Sequence, residues 1–152
     1  MVAVALGVAD GVRDDWAPYD LKTVNGIRVE VKSAAYVQSW SQRGPSSIRF
    51  SIRPARAWDP KTNTLMENVQ RHADVYIFCL LSHMDQTTVN PLELDQWEFY
   101  VASTSMLARH VSDQKTIGLS ALKKIARGPI AQIDLAPTVR AVLPSLPPPS
   151  PE

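Results

Sequence analysis

A chain of 152 residues, 45% hydrophobic and 20% charged, is long enough for one buried core and too short for two, so neither disulfides nor a structural metal are needed for folding. Its formal net charge of +1 excludes the strong basic excess of many nucleic-acid binders, and any such partner must be inferred from local charge placement. No run approaches the ~20 apolar residues that cross a bilayer, and the single Cys79 excludes both an internal disulfide and a Cys/His zinc pattern, in keeping with a reducing, cytoplasmic setting.

Residues 2–10 read as a helix closing at Gly11. The apolar start Met1–Leu6 lacks the basic flank of a signal peptide and resembles the second half of a helix, so a longer natural domain is expected upstream. Pro18 bars continued helix. Two strands follow, roughly 19–23 and 27–33, around Val24-Asn25-Gly26. Ile48, Phe50 and Ile52 alternate with polar residues, which predicts a strand over 47–53. Residues 54–72 are polar and read as irregular. The unbroken apolar run 74–82 predicts a central strand buried on both faces, with Cys79 inside it. Alternation over 96–101 predicts another strand, with Trp97 and Phe99 facing a core. Ser103 or Thr104 caps a short helix to about residue 110. A second helix, 120–127, is stopped by Gly128-Pro129. The sum is an α/β (α+β) domain over 1–135, a mixed sheet of about five strands flanked by helices, with a Pro-rich flexible tail over 136–152.

The chemistry lies in Pro18-Tyr-Asp20-Leu-Lys-Thr-Val-Asn-Gly-Ile-Arg-Val-Glu30-Val-Lys32. Leu21, Ile27, Val29 and Val31 form one apolar face, and Asp20, Lys22, Arg28, Glu30 and Lys32 form the other. A two-residue Asn25-Gly26 turn would send Asp20 to the wrong face. A three-residue loop ending in Gly26 pairs Thr23 with Ile27 and sets Asp20 opposite Glu30. Facing carboxylates repel across a strand pair. They make sense if a divalent cation, Mg²⁺ or Mn²⁺, sits between them, with the Val31 carbonyl as a further ligand and Lys32 stabilising negative charge on the attacking or phosphoryl oxygens. The bland alternative is a solvated hairpin face whose charges are incidental.

Asp20, Glu30 and Lys32 resemble the PD-(D/E)xK phosphodiesterase superfamily, with Pro18 one residue earlier than the motif's name suggests. The resemblance spans roughly residues 1–82 and extends to bacterial proteins described as restriction-endonuclease-like. It implies a restriction-endonuclease-like core, metal ligation by Asp20 and Glu30, a catalytic Lys32, and DNA as substrate. Many members also carry a Glu on the first helix. Residues 1–9 contain no acid here, and Asp10, Asp14 and Asp15 stand at or beyond the helix end.

Lys22, Arg28, Ser33, Gln38, Arg49 and Arg53 are the candidates for contacting DNA. The basic ones would meet phosphates without reading sequence. Trp40 and Trp58 are expected in core or rim packing rather than stacked on bases. Scattered His72, His83 and His110 read as structural or solvated, and no phosphate-cradling glycine loop exists. The expected activity is a Mg²⁺-dependent endodeoxyribonuclease, for which a homodimer would suit double-strand cutting. A nuclease-fold DNA-binding module without catalysis and a protein-interaction domain stay open beside it.

Overall fold

The apolar run at the middle of the chain becomes the middle of the molecule. In the computed structural model, which describes residues 1–8 and 15–144, strand β6 (Val75–Leu81) is buried along its whole length. It pairs in parallel with β2 (Arg28–Ala35) and antiparallel with β7 (Trp97–Ser103). Strand β1 (Leu21–Lys22) flanks β2, and β9 (Arg127–Ile130) flanks β7, giving a five-stranded mixed sheet in the order β1-β2-β6-β7-β9. The expected α+β class and sheet size are found.

Both faces of this sheet are covered. Phe50, Tyr76, Phe78, Tyr100, Leu107 and Leu122 pack on one side. That layer is roofed by α2 (Thr104–Val111), α3 (Leu119–Ile125) and a small sheet of β3 (Arg49–Ser51) with β8 (Thr116–Gly118). Val29, Ile77, Phe99, Leu135 and Val139 pack on the other side, beneath α1 (Val2–Ala5) and α4 (Leu135–Val142). Alternation along β2 and β6 assigns each residue to one layer or the other. Helix α2 starts where expected: the Ser103 hydroxyl accepts the Met106 N–H at 3.1 Å.

The structure departs from expectation in five places. Helix α1 ends at Ala5 because Gly7, at φ +71°, forms a Schellman close, with Gly7 N–H bonded to the Val4 carbonyl and Val8 N–H to that of Ala3. The expected end at Gly11, and Asp10 and Asp14, lie outside the described residues. Residues 47–53 do form a strand, but in the separate β3–β8 sheet. The stretch read as irregular is a hairpin, β4 (Ala55–Asp59) and β5 (Thr64–Gln70); β5 is exposed at every residue, so no period-2 burial pattern marks it. Helix α3 stops at Ile125, where Ala126 is already extended, and Gly128-Pro129, the expected stop, lies inside edge strand β9. Residues 136–142 belong to α4, held by burial of Leu135 and Val139, so of the expected tail only 143–144 fall among the described residues outside a helix.

Candidate active site

The hairpin folds in the three-residue register. Leu21 faces Val29 and Lys22 faces Arg28, as that register requires. Gly26 takes φ +85°, a conformation a side chain resists, and the loop is closed by Thr23 N–H on the Ile27 carbonyl (2.9 Å). Past Leu21 the pairing slips: the Asp20 N–H bonds the Val29 carbonyl at 3.0 Å, and the Val31 N–H is met by the Asp20 carboxylate at 2.8 Å. Lys32 Nζ lies 2.6 Å from Glu30 Oε1. Their side chains are 28% and 19% exposed, a pair set at the margin of the core rather than in bulk solvent. The charged face of the hairpin is therefore partly covered at Glu30 and Lys32 and open at Lys22 and Arg28. Glu30 and Lys32 stand over the layer containing Tyr76 and Phe78, and alternation sends Val29 and Val31 to the other layer.

Tyr76 reports the electrostatics. It stands beside Glu30 in the parallel register, and its hydroxyl pKa is pushed up to about 12. Burial is the first cause. The negative charge of Glu30 adds to it, Arg71 opposes it, and Asp20 adds again. One phenol thus senses both carboxylates. It stays neutral at any working pH, an O–H dipole beside two acids. Sequence reading missed Tyr76 because its place beside Glu30 depends on the β2–β6 register, for which no local signal exists. Asp74 was missed for the same reason. Its Oδ1 meets Arg28 Nη2 at 2.6 Å, while Oδ2 accepts Arg28 Nε (3.1 Å) and the Arg28 backbone N–H (2.9 Å).

That pair makes a pH prediction. The hydrogen bonds from Arg28 hold the Asp74 carboxyl below its ordinary value of 3.8, against a smaller opposing effect of burial. A depressed folded-state pKa means the unfolded chain takes up the proton first. The stabilisation is full above 3.8 and is lost as pH falls through the lower folded-state value. The advantage of wild type over Asp74→Asn in urea unfolding should be present at pH 7 and fade below 3.8. A constant difference down to pH 2.5 would contradict the linkage. Both groups are a third or more exposed, so the difference is small.

The expected DNA-contacting residues do not all converge. Lys22 and Arg28 share the acid-bearing face of the hairpin, but Arg28 is committed to Asp74. Ser33 lies on the opposite face, beside Cys79, whose thiol is raised to about 12 chiefly by burial. Strand alternation alone would have separated Ser33 from Lys32. Gln38 braces its own loop, donating to the Ala35 carbonyl at 3.1 Å while its N–H takes Gln42 Oε1. Arg49 and Arg53 are exposed along β3 and just past it, with Arg49 donating to Thr116 Oγ1 at 3.3 Å. Trp40 is 63% exposed, contrary to the packing expected of it, whereas Trp58 stacks against Trp16 with ring centroids 5.9 Å apart. His72 meets the Ala55 carbonyl and His83 the Thr88 hydroxyl, both structural contacts.

Asp20 and Glu30 are hard oxygen donors on the same hairpin, a set that suits Mg²⁺ completed by water and phosphate oxygens. Among the described residues no group of three or more His, Cys, Asp or Glu gathers around a metal-sized space, so a cation here would have only the acid pair and main-chain or solvent oxygens. The chain belongs to the bacteriophage T4 endonuclease IV family, whose sequence pattern matches residues 4–121. That membership places it among the DNA-cleaving nucleases. Curated proteins and solved structures gave no match. Among the described residues no helix is long and apolar enough to cross a membrane.

Proposed function

We propose that the chain is a Mg²⁺- or Mn²⁺-dependent endodeoxyribonuclease of the PD-(D/E)xK, restriction-endonuclease-like kind, with Asp20, Glu30 and Lys32 as its working residues. The observation that carries this is the hairpin, where the Asp20 carboxylate takes the Val31 N–H at 2.8 Å and Lys32 Nζ stands against Glu30 Oε1, within a member of an endonuclease family. Asp20 and Glu30 would hold the cation. The Val31 carbonyl would join them, because an extended residue presents its N–H and C=O to the same strand edge and the Val31 N–H already meets Asp20. The cation, when bound, supplies Lewis-acid polarisation of a phosphoryl oxygen and a more acidic water.

The protein's own groups do the rest. Glu30 holds Lys32 along the hairpin face through the 2.6 Å contact. The ammonium then stabilises negative charge growing on phosphoryl oxygens, in a site whose floor, Phe78 and the neutral Tyr76, excludes water from one side. Exposed Lys22 on the same face offers a second cation to the DNA backbone. The absence of a third acidic ligand among the described residues favours one rival, a DNA-binding module that does not cut.

Calorimetric titration of Mg²⁺ and Mn²⁺, with and without DNA, separates the two. Saturable binding by wild type that is lost in both Asp20→Ala and Glu30→Ala supports the enzyme. Salt-sensitive DNA binding with no uptake of either cation would leave the hairpin as scaffold.

A further inference from the structure

Where β2 and β6 begin, a cleft of about 710 Å³ opens around the end of the sheet. Its charged lining is Arg28, Arg71, Arg140 and Asp74, so positive charge exceeds negative. Asn25 and Ser105 add polar groups, and Ile27 and Leu143 add apolar wall. The three arginines differ in what holds them. Arg71 is fastened to three main-chain carbonyls, those of Ile52, Ser112 and Gln114. Arg28 is bound to Asp74 through two side-chain hydrogen bonds. Arg140, on the last turn of α4, is exposed and makes no hydrogen bond or ion pair with a described residue. A concave wall focuses the field of such charges onto whatever enters.

We propose that this cleft is an anion subsite that takes a backbone phosphate of the DNA strand next to the one cut at the hairpin, with Arg140 as its ligand. The proposal presupposes the nuclease reading and adds a path for the strand. Arg28 belongs to both places: it lines the cleft and lies two residues from Glu30 on the same face of β2. That spacing is about 6–7 Å in an extended strand. A strand with its scissile phosphate over Asp20, Glu30 and Lys32 therefore runs toward the cleft without crossing an acidic surface, since the one acid there, Asp74, is neutralised by Arg28. Arg71 shapes the pocket and keeps its potential positive, Arg28 balances Asp74, and Arg140 has the donors to spare. Guanidinium donors fork onto two phosphate oxygens, which an ammonium cannot do.

The test is fluorescence anisotropy of a labelled twelve-nucleotide single strand of DNA in EDTA, across a salt series, with the full chain. Arg140→Ala should raise Kd roughly three- to tenfold and lower the slope of log Kd against log salt by about one. Arg140→Lys should keep the slope and recover most of the affinity. Arg140 is exposed, so both variants are expected to melt with wild type. Plasmid cleavage by wild type in Mg²⁺ is read in parallel. If wild type binds and cuts while Arg140→Ala binds with unchanged Kd and slope, the subsite is wrong and the nuclease reading stands. If wild type neither binds nor cuts DNA, both fall.

Discussion

Lys32→Ala should lower the rate of DNA cleavage by about a hundredfold or more and leave the fold in place. The expected size is that of losing one preorganised donor to a developing oxyanion, roughly 10²–10³ in rate. The lysine is 28% exposed at the margin of the Tyr76–Phe78 layer, so its truncation opens no cavity in the core. It does leave Glu30 without its partner at 2.6 Å, but Glu30 retains access to solvent. Single-turnover cleavage of plasmid DNA in Mg²⁺, beside thermal unfolding of the same samples, gives both numbers. A melting temperature close to wild type with the rate collapsed is the expected pattern. Wild-type cleavage by Lys32→Ala would remove the lysine from the mechanism and, with it, the PD-(D/E)xK assignment. Lys32→Arg sharpens the result: the charge remains, but a planar fork replaces a compact ammonium beside Glu30, so partial activity is expected.

What could be read from sequence divides along a physical line. Local rules sufficed for the hairpin, because a glycine at the third loop position and the need to keep Leu21 and Val29 on one face leave a single register. They sufficed for β6, whose apolar run has no other home than the centre of a sheet, and for the Ser103 cap of α2. They failed where burial left no trace. Strand β5 is exposed throughout, so its residues show no alternation to read. Helix α4 carries Pro137 near its start, where a proline is tolerated, yet the prolines that follow it made the whole segment look like tail. The partners of the site were hidden for a different reason. Tyr76 and Asp74 reach the hairpin through a parallel crossover of some forty residues, between Arg28 and Asp74 a separation of 46, and no short-range pattern encodes that pairing. The loop register of the hairpin could therefore be read in advance, but the phenol beside Glu30 and the carboxylate that claims Arg28 could not.

The same limit produces the largest expected effect on stability, at a residue that reads in sequence only as a helix stop. Gly128 adopts φ +148°, in edge strand β9, where the chain returns from α3 to pair with β7. A Cβ placed there would lie 2.5 Å from the Phe99 carbonyl oxygen and 2.8 Å from Tyr100 Cδ1. The first neighbour is backbone in a central ladder and the second belongs to a fully buried ring, so neither yields cheaply. Gly128→Ala combines a backbone conformation that costs about 1–3 kcal/mol for a residue with a side chain and an overpacking penalty of about 1–3 kcal/mol. A loss of roughly 2–6 kcal/mol follows, which lowers the urea midpoint with little change in slope if β9 stays docked. A lowered slope would mean that the edge strand has detached from β7. Because β9 lies at the opposite edge of the sheet from β1, the acid pair should keep its geometry in whatever fraction remains folded. Cleavage per folded molecule should then match wild type, the reverse of the Lys32→Ala pattern, and the two variants together separate what the hairpin does from what holds the sheet.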